Sequence, residues 1–243
     1  INLGGGLEHF TSRVFAQFKM NGPNVSSSAA CATSLLAIHL AVRDLRIGDC
    51  NLAIAGGMTV TTPHWPGYLQ VEGGPVSNSG VIRPFDEKAD GTVFGNGGGA
   101  VVLKRLSDAL ADGDPIHAVV HGTGIYNDGG GEGSLAAPGL LGQVEAIRRA
   151  LKDSKMDSST IEFIESHGTG TLLGDPMEVD AVTRAYRTDA NRTQYCALGA
   201  VKANIGHAAA GAGLLSFVKT CMALERGVIP PNIHFDTPNP RLK

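Results

Sequence analysis

Charge and aromatic side chains are both scarce in this 243-residue chain. Asp, Glu, Lys and Arg make up 18% of it and Phe, Trp and Tyr 5%, with a single Trp. With a net charge of −3, no basic stripe is available for a nucleic acid and no single-sign block for a solvated tail. No apolar run approaches the ~20 residues that a membrane-spanning helix requires, so a soluble, cytoplasmic protein is expected. A start Met and a signal-peptide pattern are both missing. The opening Ile1-Asn2-Leu3-Gly4-Gly5-Gly6 reads instead as the interior of a larger polypeptide. Cysteine is sparse as well. Cys31, Cys50, Cys196 and Cys221 show neither CxxC pairing nor metal-ligand spacing, which argues against a disulfide scaffold or a zinc module. GxxxxGK[ST] and GxSxG do not occur, and His167-Gly168-Thr169-Gly170-Thr171 has its glycines at the wrong spacing for GxGxxG. Nucleotide cradles and serine-hydrolase elbows are therefore excluded.

Glycine, by contrast, is abundant, with 33 residues spread through loops rather than in a repeat. Strand and helix signals alternate, which argues for an α/β fold. Strands are expected over 25–29, 52–60, 97–106, 117–125, 161–166 and 197–201. Helices are expected over 32–47, 107–114, 142–152, 176–187 and 208–224, with Asp175 as a cap and Gly227 as a stop. Residues 61–96 read as a long loop, and loops of that length are commonly functional.

The informative stretch is Ser28-Ala29-Ala30-Cys31-Ala32-Thr33-Ser34. Small residues surround one thiol at the mouth of an apolar helix, where the helix dipole and free N–H groups favour thiolate. Two later segments supply what such a nucleophile needs. His167 ends a predicted strand in HGTGT, and Lys202-Ala203-Asn204-Ile205-Gly206-His207 follows another. A thiol can hold an acyl group as a thioester, two neutral imidazoles can donate N–H to a developing enolate, and a nearby ammonium keeps those imidazoles unprotonated. Cys50, Cys196 and Cys221 read as core, and His39 as a satisfied structural histidine. Trp65 and Tyr68 read equally as acyl-tunnel lining or loop anchors.

In this order and spacing, the Cys31 segment, HGTGT and KANIGH resemble the ketosynthase (beta-ketoacyl synthase) family of polyketide and fatty acid synthases. Arg83-Pro84-Phe85-Asp86, Asn127-Asp128-Gly129, Gly174-Asp175-Pro176 and Pro230-Pro231-Asn232 extend the likeness. The resemblance implies a thiolase-like five-layer αβαβα fold of two similar halves, here 1–113 and 114–243, truncated at both ends. It assigns Cys31 as the acyl-accepting nucleophile and His167 and His207 as the decarboxylation and enolate pair. It pairs Lys202 with Glu178, although Asp175 and Asp180 compete for that place. It implies condensation with malonyl- or methylmalonyl-acyl carrier protein, with no directly bound cofactor or metal and the phosphopantetheine arm belonging to the carrier. The expected partners are the acyl carrier protein, flanking synthase domains such as an acyltransferase, and a second copy of the parent in a homodimer paired through 23–29.

The chain departs from the family at Asn96, where a Glu is usual and a structural ion pair is altered. It also departs around Cys31, where the Asp and Thr of the polyketide pattern are replaced. The family's final glycine-rich segment, with the second oxyanion donor and a gate residue, would follow Lys243. Ala208 after His207 disfavours a degradative thiolase, which carries Gly-His-Pro there. A non-condensing, acyl-holding scaffold and an inactive fragment of an active parent remain as alternatives.

Overall fold

The computed structural model describes residues 6–63, 67–71, 73–129, 139–187 and 193–242. It begins with a helix the sequence reading does not anticipate, α1 (Leu7–Phe18), ending at Lys19 in the left-handed region. Cys31 follows in a 3₁₀ turn, Ala30–Ala32, that runs into α2 (Thr33–Ile47). The Thr33 hydroxyl accepts from the Ala29 N–H at 2.9 Å and donates to the Ala30 carbonyl at 2.7 Å, tying the turn to the helix start. Gly48, at φ +86°, ends α2.

β1 (Leu52–Thr59) and β2 (Gly97–Lys104) form an antiparallel pair in register from Leu52 opposite Lys104 to Thr59 opposite Gly97. α3 (Leu106–Asp112) and α4 (Leu140–Ser154) follow. β3 (Phe163–Glu165) and β4 (Ala197–Gly199) pair in parallel, with α5 (Gly174–Tyr186) as the crossover between them. A short α6 (Lys202–Ile205) leads to His207, then a 3₁₀ turn, Ala209–Gly211, and α7 (Ala212–Arg226). Gly227, at φ +62°, stops α7 as expected.

The α/β reading therefore holds, with corrections. Residues 25–29 and 117–125 form no strand, since neither stretch finds a ladder partner among the described residues. Asp175 does not cap α5. It lies inside the first turn, and its carboxylate is turned away to the HGTGT loop. α7 begins four residues later than expected because the chain first makes the 3₁₀ turn.

Helix α7 packs on β1 and β2 and also reaches β3, and α2 packs on both β1 and α7. The two helices that follow Cys31 and His207 thus lie against each other beside the first sheet. Ile38, Val42, Ala55 and Leu214 form the buried centre of this contact. Small residues permit it. A Cβ on Gly213 would meet Leu35 Cγ at 2.6 Å, and one on Gly57 would meet the Ala210 carbonyl at 2.8 Å. The fully buried Ser34 hydroxyl accepts from the Leu214 N–H at 2.9 Å, so it fixes the register of α2 against α7. A second cluster, Val144, Ala181 and Ala185, joins α4 to α5.

Candidate active site

Three segments distant in sequence meet at the α2 and α7 N-termini. Cys31 Sγ and a ring nitrogen from each of His167 and His207 all lie within 4.8 Å of one another. Cys31 is half-buried, and the residue before it, Ala30, takes φ +48°. That conformation is costly for a residue with a Cβ and is found where surroundings impose it. It turns the chain sharply just before the thiol.

His167 leaves the end of β3 on a loop shaped by Gly168 (φ +42°) and Gly170 (φ +70°). A Cβ at Gly168 would meet Ala200 Cβ at 2.5 Å, so the loop lies hard against the residue after β4. Two carboxylates hold the loop by its backbone. Glu178 accepts from the His167 N–H at 2.5 Å and the Gly168 N–H at 2.8 Å. Asp175, fully buried, accepts from the Gly170 N–H at 3.1 Å and the Phe85 N–H at 2.7 Å. Thr169 and Thr171 bond each other at 3.1 Å, and the Thr171 hydroxyl also accepts from the Gly174 N–H. Asp180 takes no part; it pairs with Arg184 on the outer face of α5.

The expected Glu178–Lys202 ion pair is not formed. No carboxylate of a described residue lies within 4.0 Å of the Lys202 ammonium, because Glu178 spends both oxygens on the loop N–H groups. The two still interact through space. Burial pushes Lys202 down from its ordinary value while Glu178 and Glu165 hold it up, and burial pushes Glu178 up. Glu165, at the end of β3, instead pairs with Lys219 of α7 at 2.7 Å and accepts from the Val201 N–H at 2.5 Å. The sequence reading misses this buried link, since nothing marks Glu165 beyond its place two residues before His167.

His207 is 3% exposed and Lys202 2%. Burial, the Lys202 charge and His207 depress His167 to about 3, although the residue as a whole is exposed in this chain. Burial and Lys202 depress His207 to about 4. Both imidazoles are therefore neutral at pH 7 and each offers one N–H. The Ala209 N–H donates to His207 Nδ1 at 3.1 Å, so the ring hydrogen sits on Nε2. The two rings meet edge to face, 5.4 Å between centroids. Phe94 stacks on His207 at 5.3 Å, a contact no motif announces.

The Cys31, His167 and His207 atoms also make a donor set that a thiophilic dication could share, the one such group among the described residues. The neighbouring Lys202 ammonium disfavours a second positive charge there. The other thiols stay outside the cluster, and burial pushes Cys50, Cys196 and Cys221 up. His39 bonds the Thr123 hydroxyl at 2.7 Å, as a structural histidine would. Tyr68 donates to the Ser77 carbonyl, so it anchors the loop; Trp65 lies outside the described residues. Asn96 accepts from the Thr61 N–H at 2.8 Å.

A thiol thus faces two neutral imidazoles beside a buried lysine, at the paired helix starts of an α/β fold. Comparison with known proteins identifies the family. Residues 5–109 match the family model described as beta-ketoacyl synthase, N-terminal domain, and residues 117–236 match the one described as beta-ketoacyl synthase, C-terminal domain. The chain belongs to the beta-ketoacyl synthase family and is part of a polyketide-type ketosynthase domain. It is 43% identical over 237 residues to one phenolphthiocerol/phthiocerol polyketide synthase polypeptide from Mycobacterium tuberculosis, covering 97% of this chain and 16% of the relative. It is 42% identical to a second phenolphthiocerol/phthiocerol polyketide synthase polypeptide of the same organism, covering 99% and 13%. Among solved structures it superposes on ketosynthase twelve of the bacillaene polyketide synthase from Bacillus amyloliquefaciens. The TM-score is 0.95 at 35% identity, over 98% of this chain and 42% of that one. An oxazolomycin ketosynthase domain from Streptomyces albus JA3453 gives 0.91 at 37%, over 98% and 42%. The fold is thus thiolase-like α/β, and the chain spans less than half the length of these ketosynthases.

Proposed function

We propose that these residues form the condensing centre of a beta-ketoacyl synthase acting in polyketide or fatty acid biosynthesis. The observation that carries this reading is the convergence of Cys31, His167 and His207 within 4.8 Å beside a buried lysine. The Cys31 thiolate attacks the carbonyl of an acyl thioester, and the carrier thiol leaves. A malonyl- or methylmalonyl-carrier then places its thioester oxygen against the His167 and His207 N–H groups. Its carboxylate leaves as CO2, and the electron pair of the broken C–C bond passes to the enolate oxygen, where the two N–H groups stabilise it. The enolate carbon attacks the acyl-Cys31 carbonyl, a C–C bond forms, and Sγ departs as thiolate. The product is a 3-oxoacyl thioester on the carrier.

Lys202 keeps both imidazoles in the N–H-donating, neutral state, and Glu178 and Asp175 hold the His167 loop. The substrates ride on the phosphopantetheine arm of an acyl carrier protein, so the chain itself supplies no cofactor chemistry. The chain is read as two partial halves, 1–113 and 114–243, of a domain in a larger cytoplasmic synthase with flanking domains such as an acyltransferase. A homodimer is supported by the exposed Val25, in a stretch that joins no sheet among the described residues. Sedimentation of the intact synthase checks it, and an active monomer would refute it.

The test separates the half-reactions. In the intact synthase, His207→Ala is expected to lower CO2 release from a malonyl thioester by ~10²-fold or more, as loss of an oxyanion donor does elsewhere. Acyl loading of Cys31 persists. Undiminished CO2 release would remove His207 from the enolate site.

A further inference from the structure

Phe94 touches the condensing centre, yet the mechanism above gives it no task. Its ring stacks on His207 with centroids 5.3 Å apart and planes 26° from parallel. The backbone reinforces the ring contact. The His207 N–H donates to the Val93 carbonyl at 2.8 Å, and the Gly95 N–H donates to the His207 carbonyl at 3.1 Å. Residue 94 and residue 207 are thus bridge partners in a parallel pairing.

Gly206, at φ +78°, lets the chain pass there, since a Cβ would stand 3.3 Å from the Val93 carbonyl. Burial does not explain the phenylalanine, which is 55% exposed in this chain while His207 is 3% exposed. It also lines a cavity of about 280 Å³ together with Ile82, Lys202 and Gly206.

The His207 imidazole is therefore held on three sides. Phe94 covers one face, the His167 ring meets it edge to face, and the Ala209 N–H fixes Nδ1 as an acceptor. A hydrogen bond to Nδ1 sets the tautomer but leaves the ring free to rock about the bond. A stacked ring supplies the missing constraint, because aromatic pairs have a preferred geometry. We propose that Phe94 is a positioning residue for His207, fixing the plane in which its Nε2–H is presented to the substrate oxygen. This rests on the condensing reading above, and it adds a residue from the strand-side loop to a centre otherwise built from three helix and strand ends.

Such a role makes a split that a general packing role does not. The acylation of Cys31 does not need the His207 plane, whereas decarboxylation does. In the intact synthase we expect Phe94→Ala to lower CO2 release from malonyl-carrier about three- to tenfold, the scale of one aromatic pair. Acyl loading of Cys31 should stay within about twofold. Phe94→Tyr, which keeps the ring, should restore CO2 release, and Phe94→Leu, which keeps bulk without a ring, should not. Equal rates for wild type and Phe94→Ala, or full rescue by Phe94→Leu, would overturn the proposal. So would a parallel loss of acyl loading. His207→Ala runs beside them as the reference. If it too releases CO2 normally, the condensing reading falls along with this one; if it is inactive while Phe94→Ala is normal, only the positioning role falls.

Discussion

At the residue scale, the proposed mechanism rests on the neutral state of two histidines. An unperturbed histidine takes up its proton near pH 6.5, whereas His167 and His207 hold out to about 3 and about 4. The N–H-donating form thus persists well below neutral pH, and the acid limb of CO2 release attributable to them should fall near pH 4. Stability runs the same way. From about pH 6.5 down to about 4 for His207 and about 3 for His167, the unfolded chain takes up protons that the folded histidines refuse, so stability is lost as pH falls through that window. Asp175, raised to about 6 chiefly by burial, has the opposite sign; the folded state binds its proton first, and its contribution falls as pH rises from about 4 to 6. Lys202 is the charge acting on both imidazoles, with His207 adding to the effect on His167, and the Cys31 sulfur lies against both rings. Lys202→Met should therefore move the acid limb upward, though short of about 6.5 because burial remains the larger cause. A pH profile of malonyl decarboxylation by the intact variant checks this, and an unmoved limb would show that Lys202 does not tune the pair.

At the element scale, the site depends on how α2 and α7 are brought together. Gly57 of β1 lies under this junction. A Cβ there would stand 2.8 Å from the Ala210 carbonyl and 2.9 Å from Ser34 Cβ, both on the backbone or near it, so neither side can swing away. Gly57→Ala should cost about 1–3 kcal/mol by overpacking. It should also weaken acyl loading, since the displaced Ser34 and Ala210 flank the turns that carry Cys31 and His207. Limited proteolysis of the intact synthase alongside a loading assay measures both, and wild-type behaviour in each would show the junction to be slack. This layer is also where legibility changes. Cys31, His167, Lys202 and His207 are readable because each sits in a short run of fixed neighbours at an element end. The partner of Glu178 is not, because a carboxylate at the right spacing can serve loop N–H groups or an ammonium, and sequence does not say which. Phe94 is invisible for a different reason: its contact joins distant parts of the chain and depends on the bridge at His207. Residues 25–29 and 117–125 have the composition of strands, but a strand also needs a ladder, and that depends on what lies beside it. Helix α1 escapes the sequence reading although Phe10, Val14 and Phe18 recur at helical spacing.

At the scale of the whole molecule, the chain exposes more than a compact protein of its mass. Its accessible surface is 15,000 Å² for 25.2 kDa, against about 10,000 Å² expected from the usual scaling. Large apolar side chains take part in it: Leu69, Leu173, Phe18 and Val71 are each more than 60% exposed. Such surface suits a unit read as part of a larger synthase, with the sheet edges left to be covered. No described helix is long and apolar enough to cross a membrane. Every role proposed here follows from one division of labour, in which sulfur carries the acyl chain and the imidazoles carry the enolate. Cys31→Ala in the intact synthase tests that division most directly, with an acyl thioester and malonyl-carrier supplied together. The predicted result is no 3-oxoacyl thioester and no acyl group on the peptide containing residue 31, while CO2 release continues. Formation of the 3-oxoacyl product at the wild-type rate would contradict it.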